Sequence, residues 1–360
     1  MKKIVLSLSF IFLLFFASLA QSSDILEDSD VIPVTKHNYL DVLFNEIGNS
    51  KETIKIVHFE FNNDNVIFKI VDALNKAADR GVKISLLCES ELKDRSQITF
   101  EKLNKNSNID FKFDMEDRKT HCKMYIFDDK KVMLGSSNLS YKSILKNNET
   151  NILFSNSKLA AYYSEFFKQL WRDSSKDPVI DLVKLQNAEP IVNRNYFPRV
   201  LNLISNAEKY INLYMYGLRM SDAKSKNSPI NKLLNSLISA RSRGVIVRVM
   251  MEQSDYNDLI NKFNSEVADY LIENNIEVRF DPFKEITHAK LLIVDDVVVL
   301  GSTNWGYGAM TFYNEANLLI KNNKSTLFFN DFFEKLWKLK NLKIKKLKTK
   351  NLKNSDELDE

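Results

Sequence analysis

Two of the four histidines in the sequence stand in one local pattern. A lysine follows the histidine by two positions and an aspartate follows it by seven, and the pattern occurs as His121-Lys123-Asp128 and as His288-Lys290-Asp295. Residues two apart on a β-strand project from the same face, so each motif places an imidazole beside an ammonium group. The pair suits a tetrahedral phosphate, because the ammonium neutralises nonbridging oxygens while a neutral imidazole nitrogen can attack phosphorus.

Two such histidines can divide the work of cleaving a phosphodiester. One attacks to give a phosphohistidine, and the other protonates the leaving oxygen before it activates water or an alcohol. Metal binding is the alternative, but two lysines would repel a cation, and the sequence has no further cluster of His, Cys or carboxylates at ligand spacing. We therefore predict no metal, no cofactor and a pH optimum near the titration range of histidine.

The same polar residues follow each motif. Gly-Ser-x-Asn and then Asn-Glu recur, which supplies Ser136, Asn138 and Glu149 in the first half and Ser302, Asn304 and Glu315 in the second. The asparagine amides could donate hydrogen bonds to phosphate oxygens with the serines in support, and each glutamate could hold the second nitrogen of a histidine ring. Glu149 follows His121 by 28 residues, and Glu315 follows His288 by 27.

These motifs belong to an internal repeat. Further matching segments are Arg80-Gly81-Val82 with Arg243-Gly244-Val245, and Phe166-Phe167-x-x-Leu170-Trp171 with Phe332-Phe333-x-x-Leu336-Trp337. Each half is interpreted as a strand (54–61; 211–216), a helix that ends at Arg-Gly-Val, a second strand (83–87; 246–251), a hairpin with the histidine motif, and a closing helix. This alternation predicts the α/β class, with one α/β sandwich in each half, and the aromatic clusters of the closing helices are interpreted as core.

The repeat divides the chain into six segments: a signal peptide (1–20), an acidic leader (21–33), a first repeat (34–177), a connector (178–188), a second repeat (189–337) and a basic tail (338–360). The signal peptide is indicated by Lys2 and Lys3, an apolar run that ends at Phe16, and small residues before a cleavage point after Ala20. An uncleaved anchor is the alternative, although the run is short for a bilayer. We expect a secreted or periplasmic protein.

Charge and cysteine content narrow the function classes. The tail carries eight lysines and four acidic residues, and without it and the signal peptide the body has a net charge of −2. This balance weighs against binding of a long nucleic acid. Cys88 and Cys122 are too few for a disulfide scaffold and are either buried thiols or one bridge. The remaining histidines, His37 and His58, lack the motif and are interpreted as structural.

The doubled His-x-Lys-x4-Asp motif, each copy followed by Gly-Ser-x-Asn, resembles the phospholipase D superfamily over nearly the whole mature chain. The resemblance implies two similar α/β sandwich halves, each a mixed sheet flanked by helices, related by a pseudo-twofold axis. A single active site would lie at their interface, so that a monomer is sufficient, with no metal requirement. By the same resemblance His121 is the nucleophile and His288 the acid. The phosphate is gripped by Lys123, Lys290, Asn138 and Asn304, and Asp128 and Asp295 are counted among the catalytic residues in a supporting role, without transferring protons.

Superfamily members act on phospholipids or on nucleic acids, and the motifs do not choose between them. The acidic body, the expected export and the apolar, aromatic segment 305–312 favour a phospholipid, although these aromatics could also stack on bases or pack between the halves. The tail alternates lysines with apolar residues, which suits either an anionic membrane surface or a solvated extension of the last helix. We expect hydrolysis of a phospholipid headgroup ester, with transfer to alcohols as a side reaction. A metal-independent nuclease and a catalytically silent module that binds phosphate ligands are the alternatives.

Overall fold

The computed structural model describes residues 24–221, 225, 227–282 and 286–339. The predicted signal peptide lies outside the described residues, as does the basic tail beyond Leu339. None of the helices in the described part of the chain is long and apolar enough to cross a membrane.

The first half contains seven strands and five α-helices in the order β1 (Val31–Val34), α1 (Tyr39–Asn49), β2 (Thr53–His58), α2 (Asn65–Asp79), β3 (Lys83–Cys88), α3 (Lys93–Leu103), β4 (Ile109–Phe113), β5 (Lys123–Phe127), β6 (Lys131–Gly135), α4 (Tyr141–Leu145), β7 (Asn151–Ser155) and α5 (Ser157–Arg172). The second half repeats this order with β8 (Ala188–Val192), α6 (Tyr196–Ser205), β9 (Tyr210–Met215), α7 (Pro229–Ser242), β10 (Ile246–Met251), α8 (Asp258–Glu273), β11 (Glu277–Phe280), β12 (Lys290–Val294), β13 (Val297–Gly301), α9 (Tyr307–Thr311), β14 (Ala316–Ile320) and α10 (Asn323–Trp337).

Each half forms one seven-stranded mixed sheet. The strand order is β1-β7-β6-β5-β2-β3-β4 in the first sheet, and the second has the same order of equivalent strands. Three neighbouring strands at one side are parallel, and the remaining pairs are antiparallel. The predicted fold class, two similar α/β sandwich halves with mixed sheets, is confirmed.

Local signals in the sequence account for the ends of several elements. The side chain of Asp64 accepts hydrogen bonds from the first free N–H groups of α2, and Asn156 does the same for α5. Gly81 and Gly244 follow the Arg residues that close α2 and α7, and both adopt φ +96, a left-handed conformation that favours glycine. The repeated Arg-Gly-Val therefore marks two helix ends, as predicted.

The two halves share one central core between their sheets. It contains Met124 and Phe166 from the first half with Leu291 and Phe333 from the second, so the closing helices α5 and α10 contribute to both sides. The interpretation of their aromatic clusters as core is confirmed, with Trp337 buried and Trp171 partly buried against the same cluster. Separate clusters cover the outer face of each sheet.

The closing helix of each half packs against the edge strand of the other half, and the first edge strand begins inside the predicted leader. Helix α10 of the second half packs against β1 of the first, and α5 packs against β8. Strand β1 begins at Val31, inside the predicted leader, and Leu26 is fully buried while its N–H donates to the side chain of Asn187 at 2.8 Å. The end of the leader is thus part of the fold, because its apolar residues complete the edge of the first sheet.

Both cysteines are buried free thiols, so the bridge that the sequence left open is absent from this structure. The predicted strand 54–61 is shorter in the structure, since β2 ends at His58, and the predicted strand 211–216 is displaced by one residue, since β9 ends at Met215. Phe59 and Tyr216 follow these strands, and their N–H groups donate to the carbonyls of Cys122 and Ala289. The chain therefore stays beside the histidine segments after the strands have ended.

Candidate active site

Each histidine motif begins just before a strand and is held by the opposite half. His121 lies two residues before β5, and its N–H donates to the carbonyl of Asn314 at 2.9 Å. His288 lies two residues before β12, and its N–H donates to the carbonyl of Asn148 at 3.0 Å. The main chain of each histidine is therefore fixed by the Asn-Glu segment of the other repeat.

The supporting glutamates are also exchanged between the halves. Nδ1 of His121 lies 3.0 Å from Oε1 of Glu315, and Nδ1 of His288 lies 3.0 Å from Oε2 of Glu149. The sequence correctly selected these four side chains as neighbours, but its spacing associates each glutamate with the histidine of its own half. The structure corrects that pairing. Because the carboxylate contacts Nδ1, the other ring nitrogen, Nε2, lies on the side of each ring away from its glutamate.

The two glutamates have different surroundings. Glu149 accepts hydrogen bonds from the hydroxyls of Ser136 at 2.6 Å and Ser143 at 2.5 Å, and from the amide of Asn147 at 3.4 Å. Glu315 accepts one from Ser302, the equivalent of Ser136. Ser136 and Ser302 therefore support the glutamates, whereas the sequence suggested that they support the asparagines.

The pKa values of the two carboxyls are shifted in opposite directions. Burial alone would raise the pKa of Glu149, but the charge and hydrogen bond of His288, the charge of Lys290 and the hydroxyl of Ser136 bring it below its usual value. For Glu315 burial dominates and raises the pKa to about 7, although Lys123, Ser302 and Lys290 oppose it. Glu149 is therefore the more firmly ionised of the two.

The charges of both lysines converge on the same groups, which makes the two motifs one site. Burial lowers the pKa of His288, Glu149 opposes this shift, and Lys290 and Lys123 add to it. The same two lysines also act on Glu315. Each lysine is buried, and its Nζ donates to the carbonyl of its own motif's histidine, at 2.7 Å for Lys123 and 2.9 Å for Lys290. Both ammonium groups are thus held beside the histidines, where a phosphate would need them.

Two aromatic residues that the sequence reasoning missed form a wall of the site. The ring of Phe59 meets His121 edge-on at 4.9 Å between centroids, and Tyr216 meets His288 in the same way at 4.9 Å. Lys123 lies 4.8 Å from the centre of the Phe59 ring, and Lys290 lies 5.1 Å from that of Tyr216. The sequence signal that could have found Phe59 and Tyr216 is that they occupy equivalent positions in the two repeats.

The two asparagines of the Gly-Ser-x-Asn segments are buried side chains. Asn138 and Asn304 are buried, and the main-chain N–H of Asn138 donates to the hydroxyl of Ser143 at 2.7 Å. The side chain of Asn138 also bonds Glu60, a buried residue whose pKa is raised by burial against the opposing charges of Arg95 and Lys123. In the second repeat Gly217 takes the place of Glu60.

Comparison with known proteins identifies the family. A family model described as "Cardiolipin synthase, PLD-like domain" matches residues 43–171 and again residues 200–337. The chain belongs to the phospholipase D superfamily. The fold of this phospholipase D-like protein is similar to that of a phosphatidylserine synthase from Haemophilus influenzae, with a TM-score of 0.71, 14% identity and coverage of 88% of each chain.

Curated relatives match over part of their own length. A probable phospholipase D of Caenorhabditis elegans is 19% identical over 84% of this chain and 66% of its own length. A phospholipase D of Rickettsia conorii is 32% identical over 29% of this chain and 46% of its own length. The phospholipase D-like chain thus spans less than two thirds of the length of the relatives it matches.

The aspartates of the motifs are separated from the reacting groups. Asp128 follows the far end of β5, about 20 Å along an extended chain from His121. Its carboxylate accepts the N–H groups of Glu52 at 2.8 Å and Thr53 at 2.9 Å, and Asp295 binds the equivalent segment before β9. Their inclusion with the catalytic residues is corrected, because in this phospholipase D-like fold they anchor the hairpin turn to the neighbouring strand.

The remaining histidines and the aromatic segment divide between core and surface. His58 is fully buried, and burial followed by the charge of Lys123 lowers its pKa well below the usual value. It pairs with Lys123 across β2 and β5, so it is a neutral packing residue. Trp305 is also fully buried and donates to the hydroxyl of Tyr196, whereas Tyr307 and Phe312 are 61% and 47% exposed. Packing thus explains Trp305, Ala309 and Met310, which are buried, but not the exposed rings of Tyr307 and Phe312.

In the part of the chain that the structure describes, no group of three or more His, Cys, Asp or Glu side chains is arranged to hold a metal ion. The side chains brought together at the site are instead two histidines with their carboxylates and two lysines. This set can orient a nucleophile, supply a proton and neutralise phosphate oxygens.

Proposed function

We propose that this chain is an exported phosphodiesterase that hydrolyses the headgroup phosphodiester of phospholipids through a phosphohistidine intermediate. The observation that carries the proposal is the pair of crossed histidine–glutamate contacts, which directs Nε2 of His121 and of His288 into a site that holds two buried lysines. Membership of the phospholipase D superfamily supports the phosphodiester chemistry.

In the first step Nε2 of His121 attacks phosphorus, and the bond between phosphorus and the headgroup oxygen breaks. His288 donates its proton to that oxygen, so the headgroup leaves as a neutral hydroxyl. Lys123 and Lys290 neutralise the nonbridging oxygens, where negative charge is concentrated in the transition state.

In the second step a water molecule attacks the phosphohistidine. His288, now neutral, takes a proton from the water, the bond between phosphorus and nitrogen breaks, and phosphatidic acid is released. An alcohol in place of water would give transfer of the phosphatidyl group. The sum of both steps restores His121 and His288 to their starting protonation states.

The surroundings of the glutamates support this assignment of the histidines. A general acid must carry a proton before the reaction, and a firmly ionised neighbour stabilises the imidazolium form. Glu149, which contacts His288, has the lowered pKa and the larger set of hydrogen-bond donors, and its charge opposes the lowering of the His288 pKa by burial. The same order of roles is implied by the resemblance of the sequence to the superfamily.

A phospholipid substrate is supported by similarity, charge and exposure. The similar proteins include a phosphatidylserine synthase and phospholipases D. The chain outside the signal peptide and tail has a net charge of −2, which is unfavourable for a long polyanion, and Tyr307 and Phe312 present exposed aromatic rings. The predicted signal peptide would place the enzyme where external phospholipids are accessible, and contact of the basic tail with anionic lipid remains part of the proposal.

The proposal is tested with the purified protein in the presence of a chelator. Vesicles of phosphatidylcholine or phosphatidylglycerol and single- and double-stranded DNA are offered to wild type, His121→Asn, His288→Asn and the control His37→Asn, which changes a histidine outside the site. We expect release of phosphatidic acid, a loss of at least about 10³-fold in kcat for the two site variants, and none for the control.

A ³²P-labelled phosphodiester with a p-nitrophenol leaving group then assigns the histidines. This leaving group needs little protonation, so His288→Asn should still form the phosphohistidine but hydrolyse it slowly, and labelled protein should accumulate. His121→Asn should trap no label. Cleavage of DNA without cleavage of lipid would overturn the substrate, and label on His121→Asn alone would reverse the two roles.

A further inference from the structure

A buried pair of carboxyl groups lies behind each histidine and is not used by the mechanism above. The pairs are Glu89 with Asp114 in the first half and Glu252 with Asp281 in the second, and all four residues are at least nine-tenths buried. The second pair occupies the same positions in its half as the first. Such a costly arrangement occurs twice, which indicates that it serves something both half-sites need.

The second pair shows most clearly what the carboxyls hold. The N–H of Thr287 donates to Oε2 of Glu252 at 2.5 Å, and its hydroxyl donates to the carboxyl of Asp281. Asp281 also accepts the N–H of Gln253 at 2.8 Å. Thr287 is fully buried and immediately precedes His288, so the two carboxyls fix the main chain at the entry to the catalytic residue.

The first half repeats this contact. The N–H of Thr120, the residue before His121, donates to Oε2 of Glu89 at 2.5 Å, and Asp114 accepts the N–H of Ser90 at 2.8 Å. Thr120 is fully buried and forms an isolated bridge with Asn314, next to the Glu315 that holds the His121 ring. Glu89 therefore holds the residue before His121, and Glu315 holds the His121 ring itself.

Few positive charges accompany the second pair. The charges of Asp281 and Asp255 raise the pKa of Glu252 after burial, and the charge of Glu252 in turn raises the pKa values of Tyr214, Tyr216 and Tyr256. Glu252 and Asp281 also share a side-chain hydrogen bond, which requires a proton on one of them. Around Glu89 the corresponding groups are Asp114 and Glu91, and Glu91 is paired with Lys119.

We infer that Glu252–Asp281 and Glu89–Asp114 are positioning residues for the proposed reaction: each pair retains one proton and clamps the threonine that sets the position of a catalytic histidine. Burial raises the pKa of Asp281 to about 6 and that of Glu89 to about 7, which agrees with a retained proton. Loss of that proton would leave two negative charges in contact inside the protein, and the clamp would open.

The inference rests on the proposed function only for its activity readout. Turnover of the p-nitrophenyl phosphodiester is measured against pH for wild type, Glu252→Gln and Glu252→Ala, with Glu266→Gln on the exposed surface of α8 as the matched control. Gln retains an acceptor for the Thr287 N–H and can donate to Asp281, so its pair carries at most one negative charge at any pH.

We expect Glu252→Gln to keep kcat within about threefold of wild type at its optimum and to lose the alkaline decline that the pair causes, whereas Glu252→Ala lowers kcat about 10- to 100-fold with little change in KM. The control should match wild type throughout. A wild-type pH profile in Glu252→Gln, or equal activity of the Gln and Ala variants, would overturn the clamp.

A second measurement does not depend on activity. A carboxyl whose pKa is raised on folding stabilises the folded state at low pH, and this stability is lost as the pH rises through the folded pKa. Between about pH 4 and 7 the Tm of wild type should therefore fall relative to that of Asp281→Asn. Parallel Tm curves would overturn the retained proton even if the protein had no phosphodiesterase activity, and diverging curves in an inactive protein would refute the proposed function alone.

Discussion

The half-sites around His121 and His288 share a framework but differ in the residues that control protons. In both, a buried threonine precedes the histidine, a lysine follows it by two residues, and a glutamate from the opposite half contacts Nδ1. The equivalence of these groups means that the geometry of nucleophile and acid is the same. Geometry alone therefore does not decide which histidine attacks.

The half-sites differ in residues that contact the glutamates and histidines of this framework. Ser143 donates to Glu149, but its equivalent beside Glu315 is Ala309, which has no donor. Phe59 is replaced by Tyr216, whose hydroxyl bonds Tyr256. The two copies of the scaffold thus differ in residues around the glutamates and the rings. Such residues can give the two histidines different proton-transfer roles, because they influence the charge of the carboxylate behind each ring.

The largest effect should come from changing the carboxylates themselves. In Glu315→Gln the side-chain amide can donate to Nδ1 of His121 and move the ring proton to Nε2, which blocks attack, so kcat should fall about 10²- to 10⁴-fold with any leaving group. In Glu149→Gln the loss should be similar with a phospholipid but much smaller with the p-nitrophenyl ester, because that leaving group needs little protonation. Steady-state rates on both substrates, with the exposed Glu101→Gln as control, measure the difference. Equal sensitivity of the two variants to the leaving group would contradict the division of roles.

A smaller effect should follow when the surroundings of the two glutamates are made alike. Ser143→Ala removes a donor from Glu149 and should raise the pKa of Glu149. A smaller fraction of Glu149, which contacts the proposed acid His288, is then ionised as the pH falls. We expect kcat to fall about 3- to 10-fold below neutral pH and the acid limb of the profile to move to higher pH. Ala309→Ser is the reciprocal change and should move the limb set by Glu315, whose pKa is about 7, to lower pH. Identical profiles for the two variants would show that these donors do not distinguish the half-sites.

The smallest effect is expected for Tyr216→Phe, which gives the second half-site the aromatic residue of the first. The ring contact with His288 and the contact with Lys290 are retained, and only the hydroxyl bond to Tyr256 is lost. The values of kcat and KM should stay within about threefold of wild type. A tenfold loss would mean that the hydroxyl itself takes part in the reaction.

Much of this molecule is predictable from the sequence because the repeat supplies two copies of each signal. The elements follow from hydrophobic periodicity and from Arg-Gly-Val at the helix ends, and the site is indicated by residues whose chemistry is rare in combination. The crossing of Glu149 and Glu315 was not predictable, since contacts within a half and contacts between halves give the same spacing in a repeated chain. Only the packing of the two sheets decides between them.

Other features of the site could not be predicted, because the residues that form them stand in an ordinary sequence context. Glu252 and Asp281 follow buried strands, as many surface residues do, and nothing in the chain announces that both turn inward beneath Thr287. Asp128 shows the opposite error. It belongs to a recognisable motif, but it is spaced for a hairpin turn and not for the active site.

The exchange of glutamates determines when the enzyme can first become active. His121 lies 194 residues before the carboxylate it requires, so a ribosome must finish nearly the entire second repeat before this contact can form. Contacts of such long sequence separation are also among the last to be made during folding. Chains that terminate before Glu315 contain His121 and Lys123 but lack the carboxylate that contacts the His121 ring. We therefore expect them to be inactive. Activity of the proposed enzyme therefore arises only after the crossed contacts between both repeats have formed.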